Sequence, residues 1–221
     1  VSNQANPKQH VSSPSNKLGE SVNVMSQFTL ITGGARSGKS SFAELLAASA
    51  NCPVTYIATA QVWDEEMAQR VKKHQKQRPS TWQLIEEPLN IRDTLIRLKD
   101  ENGVILLDCV TLWLTNLLLA EQAESSNQDE ASPTIEGQIL AMVQEVALLA
   151  QEIKPQVLFV TNEVGQGIVP ENPLARAYRD LSGRSNQILA QCADQVYLVV
   201  AGFPMEIKHS GEKLLASLLK E

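Results

Sequence analysis

Residues 33–40 read Gly-Gly-Ala-Arg-Ser-Gly-Lys-Ser and satisfy the spacing G-x-x-x-x-G-K-[ST] in full. The apolar run Phe28-Thr29-Leu30-Ile31 precedes them, and Ser41-Phe42-Ala43-Glu44-Leu45-Leu46-Ala47-Ala48 follows. The first run reads as a buried strand and the second as a helix. Strand, glycine turn and helix in that order constrain the chain to a phosphate-binding loop at the edge of an α/β sheet. Gly33 and Gly38 let the backbone curl until successive N–H groups face one anion, and the helix start adds its positive dipole end. The candidate nucleotide-binding residues here are Thr32, Gly33, Gly34, Ala35, Arg36, Ser37, Gly38, Lys39 and Ser40. Lys39 is spaced to reach the β- and γ-phosphates, and the Ser40 hydroxyl to ligate Mg²⁺. The pattern predicts a protein that binds a nucleoside triphosphate.

With 221 residues and 43% hydrophobic content, the chain can bury one sizeable α/β core without a second domain. A net charge of −6, from 19 basic and 25 acidic residues, argues against a general nucleic-acid or anionic-membrane binder. Cys52, Cys109 and Cys192 lie far apart with no C-x-x-C pair. They read as small buried hydrophobes of a reducing compartment, which points to the cytoplasm and away from a disulfide framework or a zinc site. No apolar stretch approaches the roughly 20 residues needed to cross a bilayer. The longest, from Val104 to Ala120, is interrupted by Asp108, Thr111, Thr115 and Asn116. Residues 1–27 are rich in Ser, Asn, Gln and Pro without a signal-like apolar core, and their only basic residues are Lys8 and Lys17. They read as a disordered tail, leaving 28–221 as the folded domain.

Five short runs, apolar on both faces, read as strands of a parallel sheet: Phe28–Thr32, Val54–Thr59, Val104–Asp108, Val157–Thr161 and Val196–Val200. Helical patterns fall at Lys39–Ala50, Glu65–Lys76, Ile91–Lys99, Leu112–Glu121, Ile135–Ile153 and Leu174–Cys192. The last has a start signal, with Asn172 placed to cap and Pro173 in the first turn. The polar stretch Glu124–Pro133 reads as an exposed connection. This alternation predicts an α/β fold in one domain: a doubly wound, mostly parallel sheet of the phosphate-loop NTPase, RecA-like type.

Three further constellations bear on chemistry. Val104-Ile105-Leu106-Leu107-Asp108 is a buried strand ending in a carboxylate, which a parallel sheet brings to the edge that carries the phosphate loop. Asp108 there suits Mg²⁺ ligation, and it equally suits capping of the next helix. Arg70-Val71-Lys72-Lys73-His74-Gln75-Lys76-Gln77-Arg78-Pro79 concentrates five basic residues and a histidine in an otherwise acidic chain. A solvated helix face accounts for such a run. So does a cationic setting for His74, which shares an i, i+4, i+7 stripe with Met67 and Val71; a neutral imidazole among cations is a competent nucleophile toward phosphorus. Finally, Thr161-Asn162-Glu163-Val164-Gly165-Gln166-Gly167-Ile168-Val169-Pro170-Glu171-Asn172-Pro173 leaves the fourth run as a long loop at the ligand-binding edge, followed by Arg176, Arg179 and Arg184. An ordinary connection with arginines in solvent fits these residues as well as a binding loop does.

On these segments the chain resembles the bifunctional adenosylcobinamide kinase / adenosylcobinamide-phosphate guanylyltransferase family of cobalamin biosynthesis. The resemblance covers about residues 28–208. It rests on Thr32–Ser40 with Ala43-Glu44, on Tyr56-Ile57-Ala58-Thr59-Ala60, and on Asp64–Met67 with Arg70, His74, Arg78-Pro79 and Trp82. It continues through Leu106–Thr111 with Thr115-Asn116-Leu117-Leu118, through Val160–Arg176, and through Arg179-Asp180, Gly183-Arg184 and Asn186-Gln187. The run Thr-Asn-Glu-Val-Gly-x-Gly-Ile-Val-Pro-Glu-Asn is foreign to generic phosphate-loop kinases and makes the resemblance specific.

The resemblance implies that a phosphoryl group from ATP or GTP passes to the hydroxyl of adenosylcobinamide. GTP then guanylylates a histidine, matched here by His74, and the GMP moves to adenosylcobinamide phosphate to give adenosylcobinamide-GDP. It implies catalytic roles for His74 and Lys39, and Mg²⁺ held by Ser40 and Asp108. The implied nucleotide contacts are the phosphate loop, Ala58, Thr59, Ala60, Gln75, Lys76, Gln77, Arg78, Glu86 and Asp108. A homotrimer is implied too. The chain departs from some relatives in carrying Asp108 in place of glutamate, Lys73 in place of a second histidine, and Gln75 and Gln77 in place of charged and glycine residues. Outside the resemblance, the residues also fit a simple small-molecule kinase or a non-enzymatic nucleotide-binding module. An N-K-x-D guanine signature is missing, so guanine preference comes from the resemblance alone.

Overall fold

Runs of β-branched and aliphatic residues with two apolar faces need cover on both sides, and the chain provides it by interleaving helices with strands. The structure is a computed structural model and describes residues 27–61, 79–124 and 133–219. Its strands are β1 (Phe28–Thr32), β2 (Val54–Ala58), β3 (Gln83–Glu86), β4 (Val104–Asp108), β5 (Gln156–Val160), β6 (Gln195–Val200) and β7 (Phe203–Glu206). Its helices are α1 (Lys39–Ser49), α2 (Ile91–Leu98), α3 (Val110–Glu124), α4 (Pro133–Glu152), α5 (Pro173–Cys192) and α6 (Lys208–Leu218).

The strands form one sheet in the order β3-β2-β4-β5-β1-β6-β7. Every pairing is parallel except the β6–β7 hairpin. The expected doubly wound, mostly parallel architecture is therefore present. β5 stands between the phosphate-loop strand β1 and the Asp108 strand β4, the interposed strand of a RecA-like sheet. Side chains alternate between two cores. Phe28, Leu30, Ile105, Leu107 and Phe159 pack beneath α2, α3, α4 and α5. Ile31, Leu106, Leu158 and Val160 pack against Ala43, Leu46 and Ala47 of α1. At the centre of the larger core, the Phe28 and Phe159 rings meet edge to face at 5.1 Å.

The five strands expected from sequence are all present, with ends shifted by a residue; β2 stops at Ala58, and β5 and β6 start at Gln156 and Gln195. Two strands and a helix were not expected. β3 reads Gln-Leu-Ile-Glu, lies at one edge and is mostly exposed, so it lacks the two-sided apolar signal. β7 contains Pro204 and forms the other edge, where a strand tolerates a missing N–H. α6 buries none of its residues. α3 is longer than expected at both ends, and Glu124 and Pro133 belong to helices rather than to a connection. The expected helix 65–76, residues 1–26 of the expected tail and the centre of the polar stretch lie outside the described residues. α5 starts as its sequence signal requires: Asn172 Oδ1 accepts from Ala175 N at 3.1 Å, and Pro173 opens the helix.

Candidate active site at the phosphate loop

Parallel strands end at a common edge, and those expected site residues that are described gather there because of it. The loop between β1 and α1 is packed so tightly that its first glycine has no substitute. A methyl group on Gly33 would lie 2.5 Å from the Val199 carbonyl oxygen and 2.7 Å from Ser37 Oγ. The far end of the loop is held from below by the β6–β7 turn, whose Ala201 and Gly202 have φ of 51° and 86°. Both residues left-handed is the signature of a tight two-residue hairpin. It aims Gly202 N at the Ser37 carbonyl oxygen, 2.8 Å away. On the other side Glu163 N donates to Gly33 O at 3.0 Å.

Gly38 sits at the start of α1 with φ 97°, and no side chain caps the helix. Among the described residues, no side chain accepts from the first-turn N–H groups of α1, which lie at the positive end of the helix dipole. Two buried hydroxyls of the same segment, Thr32 Oγ1 and Ser37 Oγ, also have no hydrogen-bond partner among the described residues. Buried donors left unpaired cost about 1–3 kcal/mol each, which an anion accepting from them would recover. Lys39 is only 8% exposed, and its ammonium donates to the Gly34 carbonyl at 3.2 Å. Burial holds its pKa below the ordinary lysine range, while the neighbouring Asp108 carboxylate works the other way.

Asp108 ends β4 in register with Ala58 on β2, which in turn pairs with Glu86 on β3. Ala58, Glu86 and Asp108 thus form one row across the edge, with Thr59 and Ala60 following directly. Tyr56 is 2% exposed, and its hydroxyl donates to Asp108 Oδ2 at 2.9 Å. That bond fixes the carboxylate and leaves its other oxygen for a second partner. Asp108 and Ser40 are hard oxygen donors of the kind Mg²⁺ takes, so the residues present could hold that ion. The Asp108–Cys109 peptide is cis. Thr59, just past the end of β2, braces it: Thr59 Oγ1 donates to Cys109 O (2.8 Å) and accepts from Cys109 N (2.9 Å). Asn116 of α3 closes the brace by donating to Thr59 O at 2.8 Å. Burial, with Asp108 adding to it, pushes the Cys109 thiol up to about 11, so it stays protonated at neutral pH. Among the described residues no three His, Cys, Asp or Glu side chains cluster to hold a metal. The cysteines are free, but Cys52 is exposed and Cys192 only half-buried, so of the three only Cys109 is the buried hydrophobe expected. His74, Gln75, Lys76, Gln77 and Arg78 lie outside the described residues.

A family model described as cobinamide kinase / cobinamide phosphate guanyltransferase matches residues 29–207. The chain belongs to that family. Similar proteins include the bifunctional adenosylcobalamin biosynthesis protein CobU of Escherichia coli, 42% identical over 81% of this chain and 98% of its own. The CobU of Salmonella typhimurium is 46% identical over the same shares, and CobP of Pseudomonas aeruginosa 40% identical over 84% and 98%. Among solved structures, a type III secretion system ATPase superimposes with a TM-score of 0.46 at 11% identity, over 86% of this chain and 54% of that one.

The cobinamide-kinase family run from Thr161 to Pro173 is no slack connection. Thr161 Oγ1 donates to Asn186 Oδ1 at 2.7 Å, and Asn162 Nδ2 to Thr111 Oγ1 at 2.8 Å. Arg179 donates to Gly165 O at 2.8 Å, and Arg176 to the carbonyls of Pro170 and Glu171 at 3.0 and 2.6 Å. Two arginines that sequence reasoning could leave in solvent therefore tie the loop to α5. Arg184 alone reaches elsewhere, to Glu136 at 2.8 Å. Sequence reasoning missed Tyr56 as the partner of Asp108. Its only signal was a tyrosine two residues before Ala58 in a strand otherwise made of small and aliphatic residues.

Replacing Thr59 by valine removes both bonds to Cys109 while keeping the shape of the side chain. We predict a loss of about 1–2 kcal/mol, chiefly the cost of leaving the buried Cys109 N–H unmatched, since its carbonyl keeps the Trp113 N–H at 3.2 Å; it is read as a lower urea midpoint at unchanged m-value. A midpoint equal to that of the unaltered protein would show that the brace contributes nothing.

Proposed function

We propose that the protein phosphorylates adenosylcobinamide and then transfers GMP from GTP to the resulting phosphate, yielding adenosylcobinamide-GDP. What carries this reading is the uncapped start of α1 beside a buried Lys39 and the Tyr56-fixed Asp108, in a chain belonging to this family. In the kinase step the loop amides and Lys39 take up the charge of the β- and γ-phosphates. A buried ammonium next to one carboxylate is well suited to this, since a phosphate replaces the water it has lost. Ser40 and Asp108 are the residues that would hold Mg²⁺. When bound, the ion supplies further charge neutralisation at the transferring phosphoryl group.

For the transferase step we assign the nucleophile to His74 and nucleotide contacts to Gln75, Lys76, Gln77 and Arg78. Ala58, Thr59, Ala60 and Glu86 are assigned to the nucleotide on the strength of their row with Asp108. A covalent N–P bond to the imidazole would keep GMP activated until the cobinamide phosphate arrives. Both ATP and GTP are assigned as phosphoryl donors, and the site of action to the cytoplasm. No helix among the described residues is long and apolar enough to cross a membrane. We also assign a homotrimer. Leu214, Leu215 and Leu218 of α6, with Phe203 and Met205 of β7, are exposed apolar surface of the kind that oligomers cover.

Incubation with GTP labelled at the α-phosphate should leave an acid-labile, base-stable adduct on the chain. His74→Ala should abolish it and GMP transfer while sparing most phosphorylation, and Lys39→Ala should lower both activities by about 10²-fold or more. Phosphorylated cobinamide without an adduct would leave a simple kinase, and nucleotide binding without either product a binding module. Light scattering should give about three times the 24.2 kDa chain mass; a monomer at micromolar concentration contradicts the trimer.

A further inference from the structure

The loop after β5 contains a carboxylate for which the functions assigned above have no use. β5 is the strand between β1 and β4, so its C-terminal continuation emerges between the phosphate loop and Asp108. Its backbone keeps the strand register past the end of the sheet: Thr161 N donates to Ile31 O at 2.9 Å and Glu163 N to Gly33 O at 3.0 Å. Glu163 is thereby pinned beside the first glycine of the phosphate loop, at the place where the sheet edge must receive both the triphosphate and whatever accepts its phosphoryl group.

The side chain of Glu163 is half-buried and pairs with no cation among the described residues. Among the described residues its side chain makes one hydrogen bond, a long contact of 3.4 Å from Gly165 N to Oε1. Arg179, which reaches this loop from α5, donates to the Gly165 carbonyl at 2.8 Å. A carboxylate offers about four acceptor sites, and most of those on Glu163 are left open by its neighbours among the described residues. The backbone around it is, by contrast, over-determined by Asn162, Arg176 and Arg179. The arrangement holds one acidic group still at the phosphate loop while leaving its oxygens nearly unspent.

We propose that Glu163 is a catalytic residue of the phosphorylation step, accepting the hydrogen bond and then the proton of the acceptor alcohol. The inference rests on the kinase reading given above and deepens it. The alcohol oxygen forms a bond to the γ-phosphorus as the bond from that phosphorus to the β,γ-bridging oxygen breaks. The nucleoside diphosphate leaves with that electron pair, and the hydroxyl proton passes to the Glu163 carboxylate and then to solvent. The GMP-transfer step has no such need, because its acceptor is a phosphate already ionised at neutral pH. Glu163 therefore separates the two activities in the direction opposite to His74.

The test compares wild-type protein, Glu163→Gln and Glu163→Asp in two assays: phosphorylation of adenosylcobinamide, and GMP transfer onto pre-made adenosylcobinamide phosphate. In Glu163→Gln, kcat for phosphorylation should fall about 100-fold, the lower range for loss of a general base, with GMP transfer and GTP affinity within threefold of wild type. Glu163→Asp should recover part of the lost phosphorylation. Phosphorylation within threefold of wild type in Glu163→Gln overturns the proposal. So does an equal fall of both activities, which would mark the glutamate as a structural part of the loop. Wild-type protein inactive toward both acceptors would defeat the kinase reading itself and take this inference with it.

Discussion

Two backbone hydrogen bonds tie the phosphate loop into the rest of the fold: Gly202 N to Ser37 O and Glu163 N to Gly33 O. Each ties one end of the loop to an element far away in sequence, the β6–β7 turn on one side and the continuation of β5 on the other. The glycines make these approaches possible, since a side chain on Gly33 would collide with the Val199 carbonyl. Both bonds come from the protein's own backbone, so the fold itself shapes the loop. Preorganisation of this kind matters because donors aimed in advance need no reorganisation when charge develops on the phosphates.

Around that loop the sheet edge is organised to keep charged and polar groups scarce but well placed. Lys39 is buried against Gly34 O with Asp108 nearby, and Asp108 is in turn fixed by Tyr56. Cys109 follows the aspartate directly, yet its thiol is inert at neutral pH because burial raises its pKa to about 11. Thr59 and Asn116 satisfy the backbone there, bracing the end of β4 directly beside Asp108. The second wall of the site is the Thr161–Pro173 run, held by Arg176 and Arg179 from α5. The phosphate loop and the Thr161–Pro173 run thus border the same sheet edge, which the proposed function assigns to nucleotide and acceptor.

What the sequence reveals and what it hides divide along a physical line. The phosphate loop, the five inner strands and the Asn172 cap are written in local patterns: glycine spacing, two-sided apolar runs and an Asn-Pro pair before a helix. β3 and β7 are edge strands, one mostly exposed and the other carrying Pro204, so neither has the burial that writes such a pattern. The Tyr56–Asp108 bond spans 52 positions and the Thr59–Cys109 bonds 50. Spacing rules cannot see across that distance; only the β2–β4 register brings those residues together. Arg176 and Arg179 were equally consistent with solvent, because what they bind is the main chain of their own loop rather than a complementary side chain.

The most direct measurement is a crystal structure of the protein with Mg²⁺ and a non-hydrolysable GTP analogue. The expected complex has the β-phosphate within hydrogen-bond distance of the Gly38, Lys39 and Ser40 amides, the Lys39 ammonium moved from Gly34 O onto phosphate, and the ion between Ser40 and Asp108. A triphosphate bound elsewhere, with Lys39 still donating to the Gly34 carbonyl, would contradict the central claim that this loop grips the nucleotide.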